Sequence, residues 1–104
     1  MQQAPHDCQD MAQLRQQIDA LDERIVPLLA ERSTYIARAA RIKQRADQIV
    51  DMDRVEFIVA RVKAQAEALA APPAVIEAAY RALIAASIDY ESGEFSRLRQ
   101  GEMA

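Results

Sequence analysis

The sequence predicts an all-α protein of three helices, and three observations carry that prediction. Only two glycines occur, Gly93 and Gly101, both near the carboxyl end, so few turns can be glycine-based and a meandering sheet is disfavoured. Alanine, Leu, Arg, Gln and Glu dominate, and all are strong helix formers. From Met11 onward the apolar residues recur at alternating spacings of three and four, the seam of a helix packed lengthwise on other helices. A chain of 104 residues makes one small domain. A monomer of that size buries a modest core, so a second copy supplying apolar surface would help it.

The first helix is expected from about Met11 to Arg45, on the seam Met11, Leu14, Ile18, Leu21, Ile25 and Leu28. Continuing that count reaches Arg32, Tyr35, Ala39 and Ile42, so Arg32 falls where the pattern demands an apolar residue. Such a helix is roughly 50 Å long at 1.5 Å per residue. That is too long for a compact globule of this size, and the helix is expected to reach across a partner. Pro27 removes one backbone hydrogen bond, but the apolar register continues on both sides of it, so a kinked helix is expected rather than two. Between Arg45 and Asp53 the periodicity breaks, and Asp51 and Asp53 offer caps. A second helix follows from about Asp53 to Leu69 with Val55, Ile58, Val59 and Val62 inward. The segment "AAPP" ends it, and Pro73 suits the first turn of a third helix running to about Arg99. Its buried side is expected to carry Ile76, Tyr80, Leu83, Ile84, Ser87 and Tyr90.

Composition narrows the function. An apolar fraction of 51% excludes disorder, and 5% aromatics without Trp leave an aliphatic core. Cys8, the single cysteine, allows no internal disulfide and sits outside any metal-ligand spacing, so no metal is expected. The opening "MQQAPHDCQD" lacks the basic and apolar regions of a secretory signal. No run approaches the ~18 apolar residues of a membrane span. A soluble, cytoplasmic protein without a membrane partner is expected. A net charge of −3 argues against a nucleic-acid partner.

One stretch departs from this acidic background. "ERSTYIARAARIK" (31–43) carries Arg32, Arg38, Arg41 and Lys43 and no acid after its first residue. At 100° per residue Arg32 and Lys43, eleven apart, lie within about 20° of one another and about 16 Å apart along the axis. Long side chains from both ends could grip a small anion. Arg15 projects about 100° away from Arg32, so on a partner's helix it could serve the other copy's pocket. On the third helix Ser87 and Glu91 share a face with Tyr80 and Ile84, and buried polar groups need partners. Arg38, Arg41 and Arg45 read as a solvated face. Arg32 could equally be a structural ion pair with Glu91 or Asp51, since such networks also occupy cores.

The stretch "LRQQIDALDERIVPLLAERSTYIARAARIK" (14–43) resembles the first helix of the all-α chorismate mutases. It has Leu-Arg, Ile-Asp-x-Leu-Asp, Leu-Leu-x-x-Arg and a Lys eleven residues beyond that arginine, all at the family's spacing. "DMDR" (51–54) and "ALIAASIDYE" (82–91) fall where the family's second and third helices carry site residues. The resemblance implies the type II fold, an intertwined homodimer of three helices per chain. It implies a single mutase-like domain over 1–104, with 1–9 and 100–104 as flexible tails. It further implies a pericyclic [3,3] rearrangement of chorismate to prephenate without cofactor, covalent intermediate or metal. By the same resemblance Arg15 reaches one substrate carboxylate from the other subunit and Arg32 binds the second. Lys43 donates to the breaking ether oxygen, Arg54 supports the site near Asp51, and Ser87 hydrogen-bonds a carboxylate.

Two departures qualify those roles. Many members carry Gln where Glu91 stands, and a glutamate donates a hydrogen bond only when protonated. Activity is therefore expected to improve below neutral pH, and Glu91→Gln to flatten that dependence. Val55 stands where better-known bacterial mutases have a glutamate that meets the substrate's ring hydroxyl. An apolar residue there resembles the related isochorismate-pyruvate lyases, which make salicylate and pyruvate. "APHDCQDMAQLR" also looks like the start of those lyases, although they usually retain the Gln. The mutase is the first expectation and the lyase the alternative. A non-catalytic helical dimer binding an anion or a protein partner is the third.

Overall fold

The computed structural model describes residues 3–103, so the tails expected at 1–9 and 100–104 fall partly outside it, at 1, 2 and 104. Three α-helices order the chain: α1 (Met11–Ile42), α2 (Met52–Ala68) and α3 (Pro73–Met103). Short 3-10 turns occupy Pro5–Asp7 and Ala46–Gln48, and no strand occurs among the described residues. The all-α expectation holds, with α1 ending three residues before Arg45 and α3 running past Arg99. No helix among the described residues is long and apolar enough to cross a membrane. The chain divides into two compact units, Met1–Thr34 and Tyr35–Ala104, and α1 runs from one into the other.

In the amino-terminal unit, Asp10 Oδ1 accepts the Gln13 N–H at 2.8 Å, satisfying one of the orphan donors at the start of α1. Gln13 Oε1 in turn accepts the Gln9 N–H at 2.8 Å. The helix continues through Pro27, where the proline removes one backbone hydrogen bond. At 32 residues α1 is about 48 Å long. Its seam is largely uncovered in the single chain: Ile18, Leu21, Ile25 and Leu28 are 47–63% exposed.

In the carboxyl-terminal unit, α2 and α3 pack along each other. Asp51 is the N-cap of α2 and its Oδ1 accepts the Arg54 N–H at 3.1 Å, while Asp53 falls inside the first turn. The end of α2 is closed by two backbone bonds, Ala71 N–H to the Ala66 carbonyl (2.8 Å) and Ala70 N–H to the Glu67 carbonyl (3.1 Å). That Schellman closure puts Ala70 at φ 57, the left-handed region usually left to glycine. Val59, Val62, Ala66 and Ile84 are buried, and Val55 and Ile58 half-buried. Tyr90, expected inside, is 46% exposed, and the buried stripe passes instead through Glu91 and Phe95. A stripe advancing from Ile84 by three and four residues reaches 91, and Tyr90 lies 100° off it. Phe95 joins Ala40 and Ile49 in a small core, with Ile88 and Leu98 packed against it.

Candidate functional site

A buried polar contact of the carboxyl-terminal unit lies where α1 ends. Lys43 follows the last residue of α1 and keeps the helical bond from its N–H to the Ala39 carbonyl at 3.0 Å. Its ammonium lies 2.7 Å from Glu91 Oε2. Glu91 is 4% exposed, so a carboxylate and an ammonium meet with one partner withdrawn from water. Oε2 takes the ion pair but no directional hydrogen bond among the described residues. We read the contact as charge pairing with hydrogen-bonding capacity unspent. Removing a carboxylate from water is costly unless it is both paired and hydrogen-bonded.

The chain beyond Lys43 is held by Gln48, whose Oε1 accepts the N–H groups of Gln44 (2.9 Å) and Arg45 (3.0 Å). A cleft of about 440 Å³ opens beside it, lined by Lys43, Asp47, Gln48, Val50 and Asp51. Thus Lys43 and Asp51 share a cleft, and Lys43 and Glu91 share an ion pair. The Arg54 backbone binds the Asp51 cap, while its guanidinium carbon stands 5.3 Å from the Phe57 ring centroid. Val55 is half-buried on α2, and Ser87 is half-buried on α3 one turn before Glu91. Arg32 and Arg15 belong to the amino-terminal unit, where Arg32 is half-buried and Arg15 exposed.

Two contributors went unread in the sequence. Arg99 donates from Nη2 to the Lys43 carbonyl oxygen, and its guanidinium carbon sits 4.3 Å from the Phe95 ring centroid. The spacing Glu91, Phe95, Arg99 was the available signal, since steps of four stay on one helix face. Gln48 carried none, because its role depends on how the loop turns.

Elsewhere charges pair near solvent. Arg81 meets both Glu56 oxygens at 3.1 and 3.2 Å and Glu77 at 2.9 Å, and Lys63 meets Glu77 at 3.2 Å. Hydrogen bonds from Arg81 and then Lys63 hold the Glu77 carboxyl below its usual range, and those from Glu56 and then Glu77 push Arg81 up. These groups, exposed or half-buried, tie α2 to α3 and carry none of the expected roles.

A family model described as "Chorismate mutase type II" matches residues 14–92. The T-protein of Enterobacter agglomerans is 32% identical over 84 residues, which are 80% of this chain and 22% of that protein. The chain spans about a fifth of the length of this relative.

Proposed function

Because the chain belongs to the chorismate mutase type II family, we propose that it is an isomerase converting chorismate to prephenate in the cytoplasm, as a single mutase-like domain working in a homodimer. The observation that carries this reading is the Lys43–Glu91 pair, a cation set against a buried, incompletely hydrogen-bonded carboxylate beside a cleft. A pericyclic rearrangement needs no nucleophile. Its barrier falls when a flexible dianion is held in a compact conformer and charge on the breaking ether oxygen is stabilised. An ammonium carries three N–H donors, so orientation by Glu91 leaves donors for that oxygen. Arg32 and, from the partner copy, Arg15 bind the two carboxylates, a task suited to a guanidinium fork. Ser87 adds a hydrogen bond, and Asp51 and Arg54 order the start of α2 beside the cleft.

The uncovered seam of α1 supports the dimer. Apolar side chains exposed in a continuous run mark a protein interface, and a helix of about 48 Å gives a second copy a long surface to cover.

Val55 favours a second reading, elimination of pyruvate from isochorismate, because its apolar side chain cannot meet a ring hydroxyl. Product analysis on chorismate and isochorismate, supplied separately, tests both. The expected result is prephenate from chorismate and little salicylate. Mostly salicylate and pyruvate would make the protein a lyase. No product from either substrate would bring forward a non-catalytic dimer binding an anion or a protein partner.

A further inference from the structure

We infer that Arg99 is a positioning residue for Lys43, fixing the end of α1 so that the ammonium meets Glu91; its catalytic consequence rests on the role proposed for Lys43. The last carbonyls of an α-helix have no partner within it and carry the negative end of its dipole. Lys43 sits at that end of α1, and its carbonyl receives the Arg99 guanidinium. A cation there satisfies the acceptor and complements the dipole.

The guanidinium is held in its turn. It lies over the ring of Phe95, 4.3 Å from the centroid, and Phe95 is buried against Ala40 and Ile49. Glu91, Phe95 and Arg99 are spaced by four on α3, so one stripe holds Lys43 twice. Glu91 takes the side chain and Arg99 takes the backbone. With only the side-chain contact, Lys43 could swing on its flexible stem and still reach the carboxylate from several backbone positions. Fixing the carbonyl restricts the direction from which the ammonium arrives.

The chain contains two lysines, Lys43 and Lys63, which makes the test direct. Lysine ammonium groups are followed by proton–nitrogen NMR in the wild type, Arg99→Met and Arg99→Gln, with Lys63 as internal reference. The expected result is a slowly exchanging Lys43 signal in the wild type that broadens in Arg99→Met, with the Lys63 signal and helicity unchanged. Arg99→Gln keeps an N–H donor for the carbonyl and is expected to restore part of the signal. In turnover, kcat is expected to fall about tenfold in Arg99→Met while KM hardly moves, the pattern of a displaced donor rather than lost binding.

Folded variants with an unchanged Lys43 signal would overturn the inference, whatever their activity. Loss of fold in both variants would also overturn it, by making Arg99 a general support of the unit. Absence of turnover in the wild type would count against the proposed reaction instead, and the Lys43 signal would still decide the role of Arg99.

Discussion

The same apolar periodicity meets different fates in the two units of the chain. Along α2 and α3 the inward residues find each other, with Val59, Val62, Ala66 and Ile84 all below 9% exposed. Along the amino-terminal part of α1 an equally regular seam leaves Ile25 at 47% and Leu28 at 63%. Periodicity reports which face of a helix is apolar and says nothing about which body covers it. Within one chain, α2 and α3 are joined by a short turn that folds them together. The seam of α1 stays largely exposed, which is the argument for the proposed second copy.

Truncating one residue on each side of this contrast puts it to the test. Ile84→Ala is expected to cost about 2–5 kcal/mol, the usual range for emptying a filled aliphatic site, read as a lower denaturation midpoint. Ile25→Ala on a solvent-facing seam would cost about 0.5 kcal/mol or less. We expect more, with a melting temperature that depends on protein concentration and a weaker dimer in sedimentation, because the second copy is lost by mass action. An Ile25→Ala protein that melts like the wild type at every concentration would remove the interface from this seam.

A smaller effect is expected at the turn that makes α2 and α3 neighbours. Ala70 holds a left-handed conformation that costs an alanine about 1 kcal/mol. Ala70→Gly is therefore expected to raise stability by up to about 1 kcal/mol, read by chemical denaturation. An unchanged or lower midpoint would mean that the unfolded chain's extra freedom offsets the relief.

The smallest effect concerns the exposed ions between α2 and α3. Glu77 has a folded pKa below its ordinary 4.5 because Arg81 and Lys63 hydrogen-bond it. Its contribution is fully present above the unfolded value and is lost as pH falls through the folded one. Arg81→Gln is expected to lower stability slightly at neutral pH and to converge with the wild type in acid, so the acid limb below about pH 4.5 becomes shallower. An equally steep acid limb in the variant would assign acid sensitivity to another carboxylate.

Much of this fold is legible in the sequence. Apolar spacing and capping acids located all three helices, and Pro73 opens α3 as expected. The placement of Ser87 and Glu91 on the stripe of Ile84 followed from helical phase alone. Tyr90 did not follow, because a neighbouring position can look equally apolar in sequence while the stripe passes beside it. Apolar spacing puts Lys43 inside a helix, and it stands just past the end of α1, where its carbonyl is available to Arg99.

The helix count, most of the faces that are buried and the family to which residues 14–92 belong are legible in the chain alone. These are local properties, set by propensity, phase and spacing along one chain. Tertiary structure alone decided that Lys43 pairs with Glu91, 48 residues away, and that Arg99 grips the end of α1. Neither contact is encoded in any single helix. Each depends on the packing of α3 against the end of α1 through Ala40, Ile49 and Phe95.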